Sequence, residues 1–203
     1  MDRMPLHRRT FLAGAGVAAL AAALPALADP TRPLHQDGAD WFTNVEVTGH
    51  DGRTYRFYDD LLRGKVVMLN FFYTDCDELC PLATQNLAVV RDLLNARTGA
   101  PVFMYSISLR PARDTPERLA AYARTYGVGP GWLMLTGKPD DIELLRHRLG
   151  FVDSDPLQDA DPEQHLGTVR IANEPMHRWI MSPALVNPAA IVRSVKRVIP
   201  EPV

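Results

Sequence analysis

The chain has 203 residues, 46% of them hydrophobic, with 22 basic and 24 acidic side chains. This length accommodates one domain plus an export segment, and the apolar share is sufficient for a buried core. The near balance of charge argues against a nucleic-acid partner, and beyond the N-terminal segment no apolar run is long enough to cross a bilayer.

The first 28 residues have the pattern of a twin-arginine signal peptide. Arg8 and Arg9 precede an almost charge-free stretch rich in alanine and glycine, which ends in the small-residue site Ala26-Leu27-Ala28. We therefore expect export by the twin-arginine route, cleavage after Ala28 and a periplasmic location. An uncleaved membrane anchor is the alternative, because residues 11–28 nearly reach the length that spans a thinned bilayer.

Residues 29–40 are interpreted as a lead-in segment, and residues 41–200 are expected to form one domain of alternating strands and helices. The expected strands are 54–58, 66–73, 102–109, 132–135, 168–171 and 178–181, and the expected helices are 81–96, 114–126, 139–149 and 188–199. The polar stretch 153–164 is expected to be a loop. This order predicts an α/β architecture with a mixed central sheet and helices on both faces, as in thioredoxin-like folds.

The two cysteines, Cys76 and Cys80, lie four residues apart where strand 66–73 meets its helix. Free N–H groups and the dipole at a helix start lower the pKa of a thiol, so both are expected to be partly thiolate. One helical turn separates them, which lets two sulfurs hold one ion or form a disulfide. Soft thiolates favour Cu(I), with Zn(II) as a competitor, and an added imidazole would allow Cu(II) as well. Inert buried thiols and a purely structural disulfide are the alternatives.

Three motifs follow one another along the chain: residues 74–81 (TDCDELCP), Asp114-Thr115-Pro116 and Leu135-Thr136-Gly137. Their series resembles the Sco/SenC copper-protein family, whose first motif is Thr-x-Cys-x-x-x-Cys-Pro, and the likeness extends over residues 41–198. The resemblance implies a thioredoxin fold and one copper ion bound by two cysteines and a histidine. It also implies a role in maturing the copper centre of cytochrome c oxidase.

The chain departs from the family pattern in three places. Arg110 stands where the family usually has Asp, and His165 lies between Gln164 and Leu166 where the family has Asp and then Ser or Thr. A twin-arginine-like signal replaces the usual membrane anchor. The first two departures concern partner choice and redox tuning more than copper binding.

His165 is expected to be the copper-binding histidine, because it ends the polar loop just before a strand, where the family histidine falls. His177, in the expected hairpin turn, is the alternative. The other four histidines are poorer candidates, one in the signal, two at surface positions and one between two arginines (His7, His35, His50 and His147).

Two classes of function follow from these residues. The first is a metallochaperone, a carrier rather than an enzyme, that holds Cu(I) or Cu(II) with Cys76, Cys80 and His165. Its expected partner is the copper-site subunit of cytochrome c oxidase or another copper chaperone, and the chain is expected to be a monomer. The alternative is a periplasmic thiol–disulfide oxidoreductase that uses Cys76 and Cys80 as a redox-active pair to reduce partner cysteines. A peroxidase is a weaker third hypothesis.

Overall fold

The computed structural model describes residues 41–96 and 101–199. The expected signal peptide (1–28) and lead-in segment (29–40) lie outside these ranges. Within them, no helix combines the length and the apolar character required to cross a membrane.

Seven strands form one mixed sheet in the order β2-β1-β5-β4-β3-β6-β7. They are β1 (Glu46–Gly49), β2 (Thr54–Arg56), β3 (Val66–Phe72), β4 (Val102–Ser108), β5 (Trp132–Gly137), β6 (Thr168–Asn173) and β7 (Arg178–Pro183). The central strands β3, β4 and β5 are parallel, and the outer pairings are antiparallel. The sheet confirms the expected fold class and the expected β6–β7 hairpin.

The α-helices that lie wholly within the described ranges are α1 (Leu79–Asn95), α2 (Pro116–Thr125), α3 (Pro139–Arg148), α4 (Pro156–Asp159) and α5 (Pro188–Val198). All but α1 begin with proline, where the missing N–H leaves no helical hydrogen bond unmade. The side chains of Thr115, Asp155 and Asn187 cap three of these helices by accepting a backbone N–H.

Two elements correct the expectations. The strand expected over 54–58 ends at Arg56, and a π-helical segment follows (Phe57–Leu62). Phe57, Leu61 and Leu62 are buried together, a helical spacing that overrides the alternation of a strand. The loop expected over 153–164 contains α4 and a 3-10 turn (Pro162–His165), each begun by an Asp-Pro pair.

Apolar side chains pack on both faces of the sheet. Along β3, Met68 and Phe72 contribute to the layer under α1, α2 and α5. Val67, Leu69 and Phe71 contribute to the layer under the π-helical segment and α3. Successive side chains of a strand point to opposite faces, so a strand covered on both sides is apolar on both. Asn70 is the exception in β3, and its side-chain oxygen accepts from the Ser106 hydroxyl at 2.7 Å.

Asp114 fixes the segment that follows β3 to the end of β4. Its side chain is fully buried. One carboxylate oxygen accepts from the Thr74 backbone N–H at 3.1 Å and from the Ser108 hydroxyl at 2.6 Å, and the other accepts from the Thr74 hydroxyl. Asp114 therefore does not open α2 as expected, because Thr115 caps that helix. Asp114 instead holds the chain two residues before Cys76.

We expect Asp114→Ala to lower the free energy of unfolding by about 3 kcal/mol, because buried donors of Thr74 and Ser108 lose a charged acceptor. Urea denaturation measures this change. Asp92→Ala is the matched control, since that carboxylate pairs with Arg91 at the surface and should contribute less than about 1 kcal/mol. Equal losses in the two variants would contradict the role given to Asp114.

Candidate metal centre

Cys76 and Cys80 lie where β3 meets α1, beyond the carboxyl ends of the parallel strands. Cys80 is the second residue of α1, and its backbone N–H donates to the Cys76 sulfur at 3.3 Å. Both are free thiols, and both are buried, with 8% and 3% of the residue exposed. The structure thus places the two predicted thiols on one turn of chain.

The environment of Cys80 opposes its ionisation. Burial raises the pKa of the Cys80 thiol well above its usual range, and the neighbouring Cys76 raises it further, while the charge of Arg110 acts in the opposite direction. The expectation of a partly ionised thiol is therefore wrong for Cys80, because desolvation outweighs the helix dipole. A bound metal ion changes this balance, since a thiol loses its proton when it becomes a ligand.

An open cavity of about 390 Å³ reaches Cys76. Its lining is dominated by polar and charged side chains (Tyr73, Asp75, Cys76, Asp77, Glu78, Leu79, Arg110, Glu163 and Leu166). Four of these side chains are carboxylates, of which Asp75 is paired with Arg110 and Arg113; the other three favour the approach of a cation. Cys80 is not part of the lining, so Cys76 is the thiol that faces an approaching ion or partner.

Arg110 is the positively charged residue that lines the cavity together with Cys76. Its guanidinium lies 3.7 Å from the centroid of the Tyr73 ring and 3.2 Å from Asp75. Arg113 contacts the other oxygen of Asp75 at 2.9 Å. Where the family usually has a carboxylate, this chain therefore has a guanidinium that stacks on Tyr73 and pairs with Asp75.

Tyr73 connects the end of β3 to the segment before β6. Its hydroxyl donates to Glu163 at 3.2 Å, and burial, the charge of Cys76 and this hydrogen bond raise the pKa of Tyr73. Sequence reasoning did not select Glu163 as a lining residue. The signal for it was the Asp161-Pro162 pair, which starts the 3-10 turn that presents Glu163 to the cavity.

His165 lies at the end of that turn and faces away from the cavity. A 3-10 helix has three residues per turn, so Glu163 and Leu166 lie on the same side of it, the side that lines the cavity. His165 lies on a different side. The histidine is buried, with 6% exposed. Its Nε2 is 2.8 Å from the Asp159 carbonyl oxygen and 3.0 Å from Nη1 of Arg146.

The structure does not bring His165 to the two thiols. Across the described part of the chain, one group of three metal-binding side chains has its ligand atoms within 4.8 Å of one another, and it is Glu143, His147 and Asp159. Neither His165 nor the alternative, His177, forms such a group with Cys76 and Cys80.

The group of Glu143, His147 and Asp159 already surrounds a cation, the guanidinium of Arg146. Nη2 of Arg146 lies 2.5 Å from Glu143, 2.8 Å from Asp159 and 3.0 Å from Nε2 of His147. Hydrogen bonds from Arg146 hold the pKa values of Glu143 and Asp159 below their usual ranges. A metal ion there would meet the positive charge of Arg146, so this cluster is a structural ion pair network.

Residues 35–199 match the family model described as SCO1/SenC. Residues 5–25 match the model of the twin-arginine translocation pathway signal sequence, which confirms the expected type of signal.

Individual relatives agree with this match. A SCO2-like protein of Rickettsia prowazekii is 30% identical over 157 residues, which cover 74% of each chain. Protein sco1 of Schizosaccharomyces pombe is 28% identical over 109 residues, which are 54% of this chain and 40% of that protein. The chain therefore spans less than half of the fission-yeast protein.

The crystal structure of yeast Sco1 with copper bound has the same fold. Its TM-score with this chain is 0.57 at 20% identity, and the match covers 76% of this chain and 92% of that one.

Proposed function

The chain belongs to the SCO1/SenC family, and on this premise we propose that it is a metallochaperone that binds one copper ion as cargo. Its proposed role is delivery of that ion during the maturation of the copper centre of cytochrome c oxidase. The observation that supports the proposal is the pair of free thiols of Cys76 and Cys80 on one turn, at the edge of the sheet where a cavity reaches Cys76.

The donor set suits copper. Thiolates are soft ligands, and two of them satisfy Cu(I), which accepts low coordination numbers. The buried surroundings of Cys80 keep its thiol protonated until an ion arrives, so uptake of copper releases a proton and release of copper takes one up. This exchange of a proton for copper suits a carrier that has to release its ion.

His165 is the proposed third ligand for Cu(II), which prefers a set that includes imidazole. In the structure its ring is turned away, so the 3-10 turn must rearrange before it can reach the thiols. The neighbouring residue Leu166 already lines the cavity, so the required movement is a local rotation of the turn. Cu(I) would then be held by the two thiols alone, and Cu(II) by three ligands.

The proposed setting is the periplasm. The twin-arginine signal supports export of a folded chain. Cleavage after Ala28 is part of the proposal. The proposed partner is the copper-site subunit of the oxidase or another copper chaperone, which would approach Cys76 through the open cavity.

One observation favours a second function, thiol–disulfide exchange. Cys76 faces the cavity and Cys80 lies behind it, an arrangement that suits an attacking and a resolving thiol. Cys76 thiolate would attack a partner disulfide and form a mixed disulfide, and Cys80 would then displace the partner. The partner leaves as a dithiol, having gained two electrons and two protons, and Cys76 and Cys80 become a disulfide.

We predict one copper ion per chain and a thiolate-to-copper charge-transfer band after addition of Cu(II). His165→Ala should weaken Cu(II) binding by more than about 100-fold, because even changes around a ligand cost 10–100-fold. Cu(I) affinity should change little, and His177→Ala should leave both affinities unchanged. Titration against competing chelators measures these constants.

A wild-type protein that stays colourless and retains no copper would contradict the copper proposal. Loss of Cu(II) affinity in His177→Ala but not in His165→Ala would transfer the ligand role to His177. If His165→Ala loses copper but still supports oxidase assembly in cells, while Cys76→Ser does not, the reductase is the better function.

Replacement of both Arg8 and Arg9 by Lys should leave uncleaved precursor in the cytoplasm, because the twin-arginine pathway reads the arginine pair. Arg3→Lys is the matched control and should be exported normally. Cell fractionation followed by immunoblotting measures the distribution. Normal export of the double variant would indicate the general secretory route.

A further inference from the structure

Arg146 is a buried cation outside the thiol cavity, with 3% of its side chain exposed. From α3, its Nη1 donates to the Phe151 carbonyl oxygen at 2.6 Å and to Asp159 at 2.7 Å. Its Nη2 donates to the other oxygen of Asp159 at 2.8 Å and to Glu143. The guanidinium therefore ties α3 to both ends of the segment that leads from Phe151 to Asp159.

The same network encloses the ring of His165. If Nε2 carries the proton, it donates to the Asp159 carbonyl oxygen at 2.8 Å. If Nε2 is unprotonated, it lies 3.0 Å from Nη1 of Arg146 and shares an N–H that Nη1 also directs to the Phe151 carbonyl oxygen or to Asp159. In either tautomer Nε2 has a partner, and the side chain is sealed from solvent, with 4% exposed. His165 cannot use this nitrogen for a metal ion until the contact with Asp159 and Arg146 opens.

We propose that Arg146 is a positioning residue that withholds His165 from Cys76 and Cys80 and thereby lowers the affinity of the chain for Cu(II). This inference rests on the proposed copper function. To bind Cu(II), His165 has to give up its hydrogen bond with the Asp159 carbonyl oxygen. The pairing of Arg146 with the Asp159 carboxylate opposes this step, because it keeps Asp159 in place. Cu(I), which two thiolates satisfy, does not require the exchange.

The contacts that hold His165 can open without unfolding of the domain. Glu143 is exposed and Asp159 is half-buried, so both carboxylates can be solvated when the turn moves. The turn is short, and it is joined to the cavity wall by the hydrogen bond between Glu163 and Tyr73. A movement of His165 toward the thiols therefore has to break the contacts of its ring with Asp159 and Arg146, and rotation of the turn also displaces Glu163 from Tyr73.

The test compares Arg146→Gln and Arg146→Lys with Arg148→Gln, which removes the same charge from an exposed position of α3. Both Arg146 variants should bind Cu(II) about tenfold more tightly than the wild type, because Asp159 loses the two parallel guanidinium hydrogen bonds that fix it and then holds His165 less firmly. Their Cu(I) affinities, and both affinities of Arg148→Gln, should be unchanged. In a His165→Ala background, Arg146→Gln should have no effect on Cu(II) binding.

The lysine variant keeps the buried charge that Glu143 and Asp159 require, so it guards against a glutamine variant that does not fold. The wild-type protein gives an independent readout: Cu(II) should speed hydrogen exchange over residues 153–166, because the contacts around His165 open. Unchanged exchange in the wild type, unchanged Cu(II) affinity in the folded variants, or an equal effect in the His165→Ala background would overturn the inference. A wild type that binds no copper at all would overturn the proposed function as well, which distinguishes the two failures.

Discussion

The carboxylate of Asp114 is the constraint on which the site depends. It is fully buried and joins the chain just before Cys76 to the end of β4. Since β3 and β4 are neighbouring parallel strands, the hydrogen bonds of Asp114 fix the Cys76 thiol relative to the sheet. The Cys80 thiol is fixed by α1. The two sulfurs are therefore held by the fold itself, and a ligand pair held in advance loses little entropy when it binds an ion.

The proposed third ligand, His165, is arranged in the opposite way. His165 belongs to a short turn, and Arg146 and the Asp159 carbonyl oxygen hold its ring away from the thiols. In the proposed site, a rigid pair of soft ligands combined with a withheld imidazole would give different stability to the two oxidation states of copper. Such a difference suits a protein that has to take up an ion and pass it on.

The sequence was sufficient for the features that depend on neighbouring residues. The apolar run of β3 and the spacing of Cys76 and Cys80 predicted where the thiols lie. The orientation of His165 was not predictable in this way, because it depends on the start of a 3-10 turn and on Arg146, 19 residues away. One signal was present: Arg146 is buried in α3 together with Ile142 and Leu145, where a charged residue needs a partner.

X-ray absorption at the copper edge, recorded on the wild-type protein loaded with one ion, tests the central claim most directly. Two sulfur ligands are expected in the Cu(I) form. In the Cu(II) form, the copper ion should have one imidazole ligand in addition to the same two sulfurs. The scattering from the outer atoms of that imidazole ring should disappear in His165→Ala. A copper ion surrounded by nitrogen and oxygen alone would contradict the account.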